Sequence, residues 1–266
     1  MKPYEIQVEQ CLVFGDVHED LTYVKTAMDK ERGNYDHIVF LGDEFDPKNE
    51  NAVGAKQTAK FIIEVQEGIY GPATQLLGNH PQQYMESWAA NQRFSRHKDP
   101  LYTCGGFSNN RSIDINKILS WENWMKFQLF CNFGGYTLSH AGISEGLWNK
   151  ALGREENLDA LYTESRLALQ NIAHSPSSRL LVAGQSRGGF HPIPGLTWCD
   201  FTDDFHDSIF IGPQICGHTR DKTVRFKGES WCLDAGQTAY ALLNNSGKLT
   251  LKSIDGEPKI EEGRNW

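Results

Sequence analysis

Three features of the chain predict an α/β fold. The first half alternates short apolar runs with stretches of helical period, the conspicuous polar clusters each fall just after such a run, and short strand-like segments alternate with turns from residue 214 onward. Alternating strand and helix indicates βαβ units, that is, a sheet with helices on its faces. The closing run of short strands suggests an antiparallel region.

Taken in order, CLVF at 11–14, the apolar run at 37–41 and that at 73–77 read as strands. Helical spacing predicts helices near 20–31 and 51–67, the second opened by a turn over Pro47–Asn51. Segment 82–130 is rich in Trp, Asn, Gly and Arg and has no clear period, so it reads as an insertion of loops and short helices over the site. A strand near 132–139 ends in TLSHAG, and 154–173 has helical spacing. QICGHTR, TVRF, SWCLDAG, YALLN and KLTLKS follow as short strands, and the polar close EPKIEEGRNW reads as loose. With neither a solenoid repeat nor a low-complexity tract, residues 1–266 are expected to form one domain.

An apolar fraction of 39% and a charged fraction of 23% are ordinary for a soluble globular protein. No apolar run is long enough for a membrane span, and MKPYEIQVEQ lacks the apolar core of a signal peptide, so no membrane partner is expected. A net charge of -8 argues against general nucleic-acid binding while leaving room for a local phosphate pocket. The six cysteines include no C-x-x-C pair and read as buried free thiols of a reducing cytoplasm.

The polar clusters are GDVH, GDEFD, GNHP, SHAG and GHTR. In open α/β sheets, ligands bind beyond the carboxyl ends of strands. Each cluster sets a glycine beside a ligand-type side chain, letting the chain turn sharply and keeping bulk away from an ion. Asp16 and Asp43 offer carboxylate oxygen, Asn79 an amide oxygen, and His18, His140 and His218 imidazole nitrogen. Mixed N/O donation suits Mn, Fe, Zn, Ni or Co better than Ca or Mg. Six ligands exceed the needs of one tetrahedral ion and suit two, with Asp43 as bridge; such a pair would polarise a phosphoryl oxygen and activate water for in-line attack. Singly, each motif has a bland explanation: Asn79 as a turn residue, His140 as a hydrogen-bonded strand histidine, GHTR as a hairpin corner. Five such motifs at five strand exits are not explained as turns.

The order D-x-H, G-D-x-x-D, G-N-H, H-A-G and G-H-T resembles the calcineurin-like metallophosphoesterase superfamily, most closely its phosphoprotein-phosphatase branch with the bacterial and phage serine/threonine phosphatases and the symmetrical diadenosine tetraphosphatases. The resemblance runs from about residue 10 to residue 252 and is weak in 82–130 and 145–183. It implies a four-layer α/β/β/α sandwich of two mixed sheets with a dimetal site, manganese foremost, between them. By position, Asp16, His18 and Asp43 would hold metal 1, and Asp43, Asn79, His140 and His218 metal 2. His80 would donate a proton to the leaving oxygen, with Asp46 pairing to it, raising its pKa and fixing its orientation.

Three departures stand out. Pro47 follows Asp46 where the branch usually has an arginine that clamps phosphate, Pro81 replaces an acidic residue after GNH, and Arg220 stands where many superfamily members have a second histidine on metal 1. The last favours the phosphatase branch over nucleases. Arg187, in QSRGGFHPIPGLTWCD, is the leading replacement clamp, since Gly188 and Gly189 permit close approach; Arg111 and Arg220 are weaker candidates. Trp198 is a candidate pocket wall, and Trp88, Trp121 and Trp124 candidate floors for a nucleobase, although packing is their commoner fate. His37, His97, His174, His191 and His206 match no motif. The expected function is metal-dependent hydrolysis of phosphomonoesters of protein, nucleotide or small molecules. A dinucleoside polyphosphate hydrolase is the alternative, ahead of a nuclease or a silent metal-binding module.

Overall fold

The computed structural model describes residues 2–88, 100–151, 157–173, 178–207 and 211–263. His97 and His174 lie outside them. Two mixed β-sheets stack face to face. The first has the order β10-β9-β1-β2-β3, built from β1 (Gln10–Phe14), β2 (His37–Phe40), β3 (Ala73–Gln75), β9 (Ala239–Asn244) and β10 (Leu249–Ser253). The second has the order β11-β7-β8-β6-β5-β4, from β4 (Phe130–Phe133), β5 (Tyr136–Ser139), β6 (Gln214–Cys216), β7 (Val224–Lys227), β8 (Ser230–Cys232) and β11 (Ile260–Glu262). β1, β2 and β3 run parallel, as βαβ units require, while β9 returns antiparallel to β1.

The period-2 alternation of β1 explains the stacking. Cys11 and Val13 face the second sheet, packing with Val39, Leu138, Ile215 and Leu243. Leu12 and Phe14 face outward among Val24 and Ala27 of α1 (Leu21–Lys30) and Phe61 and Val65 of α2 (Ala55–Gln66). Phe14 stacks on Phe40 at 5.3 Å. Each such fully buried side chain contributes roughly 1.5–3 kcal/mol relative to exposure. α1 starts where Asp20 accepts the Tyr23 amide at 2.9 Å, an N-cap that ends the loop carrying Asp16 and His18. On the far side, the outer face of the second sheet packs Phe130 against α7 (Leu158–Asn171), whereas Ala141, Cys216 and Cys232 are covered by Cys199, Phe201 and Phe205 of a turn segment. The fourth layer is therefore part helix and part turn.

Several elements differ from expectation. The strand expected at 132–139 is a hairpin, β4 to β5, folded at Gly134 and Gly135, both with positive φ (58° and 80°); a two-residue turn of this hand needs that conformation. α2 begins at Ala55 after Gly54, later than the turn at Pro47–Asn51 implied. GNHP opens the eight-residue helix α3 (Asn79–Glu86). Segment 82–130 also carries α4 (Asn109–Ile118) and α5 (Trp121–Trp124), and α6 (Glu145–Ala151) follows β5. The C-terminal strands divide between the sheets, and β6 pairs parallel with both β5 and β8. The close expected to be loose includes β11, parallel to β7. Among the described residues no helix is long and apolar enough to cross a membrane, and all six cysteines are free, five of them buried.

Candidate metal centre

All five motifs arrive at one end of the sandwich. Asp16 and His18 follow β1, Asp43 and Asp46 follow β2, Asn79 and His80 open α3 after β3, His140 follows β5 and His218 follows β6. Each of these eight side chains is buried. Of the six described non-glycine residues with positive φ, four are among them: His18 (46°), Asp43 (51°), Asp46 (67°) and His218 (68°). Non-glycine residues in this region cost on the order of 1–3 kcal/mol each and concentrate at functional sites. Two glycines make the room: a Cβ on Gly78 would lie 2.1 Å from Asp43 Oδ1, and one on Gly217 would lie 2.2 Å from Asp16 Oδ1.

Backbone groups aim the candidate ligand atoms. Asp43 Oδ1 accepts the His80 amide at 2.9 Å, so a carboxylate sits at the N-terminus of α3, where the helix dipole favours it. Asp16 Oδ1 accepts the His218 amide at 2.9 Å. His18 Nδ1 donates to the Phe45 carbonyl at 2.9 Å and His140 Nδ1 to the Leu41 carbonyl at 3.0 Å, which leaves each neutral ring with a bare Nε2. Asn79 donates its amide NH2 to Cys104 Sγ at 3.0 Å, turning Oδ1 inward.

The donor atoms converge into two groups, His18 with Asp43 and His80, and Asp43 with His140 and His218, each within 4.8 Å. Asp43 belongs to both. His140 Nε2 lies 3.0 Å from Asn79 Oδ1, 3.2 Å from His218 Nδ1 and 3.5 Å from Asp43 Oδ2. The bare nitrogen thus faces an acceptor oxygen across hydrogen-bond distance with no proton between them, an arrangement that a cation makes favourable. Buried Asp16 Oδ2 and His218 Nε2 have no hydrogen-bond partner among the described residues. The donor set therefore fits divalent metal.

The electrostatics agree. Burial pulls His18 down to about 4 despite the Asp43 charge, and pulls His140 and His218 below their ordinary value, so all three imidazoles are neutral at neutral pH, the form a metal would need. Burial, then Asp234 and Asp43, push the Asp16 carboxyl well up. Burial also works against ionised Asp43, but His140, His80 and His18 outweigh it and hold its carboxyl below the usual range.

His80 and Asp46 form the expected couple: His80 Nδ1 donates to Asp46 Oδ2 at 2.7 Å. Asp46 Oδ2 also accepts from Gln83 Nε2 at 2.7 Å, and Oδ1 from the Tyr84 hydroxyl and from Arg111 Nε at 3.2 Å. Arg111 makes a further ion pair with Glu19, which accepts the Asp46 amide at 3.1 Å. Arg187 Nη2 is gripped by Asp200 at 2.6 Å and Thr219 at 2.8 Å, next to His218. Arg220 is exposed and lies along Gly236. Trp198 packs at 6.1 Å from His218. Trp124 is a core residue that donates to Asn116 at 2.9 Å, and Trp88 packs on Trp121 at 5.2 Å. His37 contacts Thr74 at 3.0 Å, and His191 and His206 are exposed.

Sequence reasoning missed the supports. Gln83, Tyr84 and Glu19 surround the couple, Cys104 orients Asn79, and Asp200 and Thr219 fix Arg187. Asp234 and Gln237 back Asp16: Gln237 Nε2 donates to the Asp16 carbonyl at 3.1 Å, and the charges of Asp234 and Asp16 repel. The signal for Asp234 was present, because LDAG follows β8 as the other clusters follow their strands.

A double-sheet sandwich whose strand ends gather two clusters of metal-ligand atoms about one shared carboxylate defines a metal-dependent hydrolase of the phosphoesterase class. The family model described as calcineurin-like phosphoesterase matches residues 10–219, and the chain belongs to that family. Similar solved structures include a cold-active protein-tyrosine phosphatase of a psychrophile, Shewanella sp., with 19% identity, TM-score 0.66, and coverage of 96% of this chain and 81% of that one. A point mutant of a cold-active protein tyrosine phosphatase gives 18% identity, TM-score 0.68, and coverage of 96% and 81%. A Saccharomyces cerevisiae protein serine/threonine phosphatase with similarity to human phosphatase PP5 gives 14% identity, TM-score 0.48, and coverage of 97% and 82%. No curated protein matches the chain.

Proposed function

We propose that the protein hydrolyses phosphomonoesters, water attacking phosphorus directly, at a centre where Asp16, His18, Asp43, Asn79, His140 and His218 hold two divalent transition metals, manganese foremost. The supporting observation is that two clusters of ligand atoms share Asp43. Bound there, the ions would supply Lewis-acid polarisation of the phosphoryl group and of water. His80, its Nδ1–H held by Asp46, presents Nε2 to protonate the leaving oxygen. Arg187, anchored by Asp200 and Thr219 next to His218, takes the place of the phosphate clamp. Arg111 is occupied at both ends by Glu19 and Asp46 and serves to hold the couple. The whole described chain acts as one domain, with 100–130 packed against the site through Cys104 and Gly106. Its free thiols support a cytoplasmic setting.

The test is hydrolysis of p-nitrophenyl phosphate after chelation and after addition of Mn²⁺. Activity should require the metal and fall by roughly 10²-fold or more in Asp43→Asn, and in His80→Ala by as much on phenyl phosphate, whose leaving oxygen needs the proton. Absence of turnover of any phosphoester with manganese, iron, zinc, nickel or cobalt would overturn the proposal.

A further inference from the structure

One wall of the site is aromatic. The Trp198 ring stands edge-on to the His218 imidazole, at 6.1 Å and 78°. Tyr102 packs on Trp198 at 5.6 Å and 61°. The loop carrying Tyr102 is tied to α3 on either side: the Leu101 amide donates to Glu86 Oε2 and the Cys104 amide to Gln83 Oε1, both at 2.7 Å. Trp198 is only 6% exposed, whereas Tyr102 is half-buried. Buried Trp198 Nε1 and Arg187 Nε both lack a hydrogen-bond partner among the described residues. Buried indole N–H groups ordinarily find an acceptor, so the polar edge of this wall is left unsatisfied within the chain.

We infer that Tyr102 and Trp198 form the leaving-group wall of the site and select aryl phosphate monoesters, those whose ester oxygen is borne by a phenolic ring. The inference rests on the phosphomonoesterase reading and names its substrate class. The wall touches a metal ligand directly, so it serves a ring attached to the ester oxygen itself. A nucleobase is held away from the reacting phosphorus by its ribose, and a serine ester has no ring to offer. In the reaction, water oxygen bonds to phosphorus and the P–O bond to the ring breaks. Its electron pair stays on the phenolic oxygen, which takes a proton, so the products are inorganic phosphate and a phenol.

The test compares wild type with Tyr102→Leu and Trp198→Leu on O-phospho-L-tyrosine, O-phospho-L-serine and AMP with Mn²⁺. Taking the ratio of kcat/KM values cancels the intrinsic difference between leaving groups. The phosphotyrosine-to-phosphoserine ratio should fall by roughly three- to tenfold in Tyr102→Leu, mainly through KM, as the loss of one ring contact implies. Trp198 is buried, so thermal melting accompanies its variant, and Tyr102→Leu alone decides. An unchanged ratio in an active Tyr102→Leu enzyme overturns the inference, as does a larger loss on AMP than on phosphotyrosine. Wild type inert toward every phosphoester would instead sink the reading beneath it.

Discussion

Replacing Asp46 by Asn probes how the His80 couple works. Both carboxylate oxygens are doubly engaged: Oδ2 by His80 Nδ1 and Gln83 Nε2, each at 2.7 Å, and Oδ1 by the Tyr84 hydroxyl and by Arg111 Nε at 3.2 Å. An amide offers one acceptor and one donor group. Whichever way it turns, one pair of donors meets N–H instead of oxygen, at a cost of about 1–3 kcal/mol in stability. With the amide nitrogen toward His80, the ring loses the acceptor that holds its proton on Nδ1 and sets its orientation. General-acid catalysis contributes roughly 10²–10⁴-fold, and the loss should depend on how much the leaving group needs a proton. Phenyl phosphate, which leaves as a basic phenolate, should lose roughly 10²–10³-fold in kcat. p-Nitrophenyl phosphate, whose leaving group departs unaided, should lose about tenfold or less. The assay is steady-state kinetics on both esters at saturating Mn²⁺, with urea melts to confirm folding. Equal losses on the two esters would refute a proton-donating His80 held by Asp46.

Two further outcomes follow from the packing. Gly78→Ala places a Cβ 2.1 Å from Asp43 Oδ1 and 2.5 Å from the Asp43 amide nitrogen, so the shared carboxylate must move. Manganese affinity by titration calorimetry should weaken by about tenfold or more, and wild-type affinity would contradict the shared-ligand geometry. Glu86 is buried, and burial pushes its carboxyl up to about 7 from 4.5, against the lowering effect of its bonds from Gln82 and the Leu101 amide. A raised acid binds more protons folded than unfolded, so its stabilisation is complete below about 4.5 and is lost as pH climbs toward 7. Glu86→Gln should flatten that slope by up to about 3 kcal/mol in urea melts at graded pH, and an unaltered slope would dismiss the buried acid as its source.

The backbone strain and the electrostatics of the site point the same way. Four of the eight candidate-site residues hold positive φ, and after burial the negative charges of Asp234 and Asp43 raise the Asp16 carboxyl while that of Asp43 raises Asp234. Neither arrangement stabilises the chain by itself. Both become favourable once positive charge occupies the gap between the side chains.

What the sequence determined by itself was whatever depends on neighbours along the chain. The period of LVF and IVF placed β1 and β2, and a glycine next to each ligand-type residue marked the strand exits. Donor chemistry then marked Asp16, His18, Asp43, Asn79, His140 and His218 as candidate ligands. Even the hairpin at Gly134–Gly135 carried a local signal, although it reads as one continuous strand until the paired positive φ is seen. The tertiary structure alone decided how distant segments meet. It split the C-terminal strands between two sheets, paired β11 with β7, brought Arg111 from α4 onto Asp46 and Glu19, and set Trp198 against His218 with Tyr102 packed on it. Strand pairing and side-chain convergence are long-range events, settled by which buried faces and charges fit together across the folded core, and no local period records them.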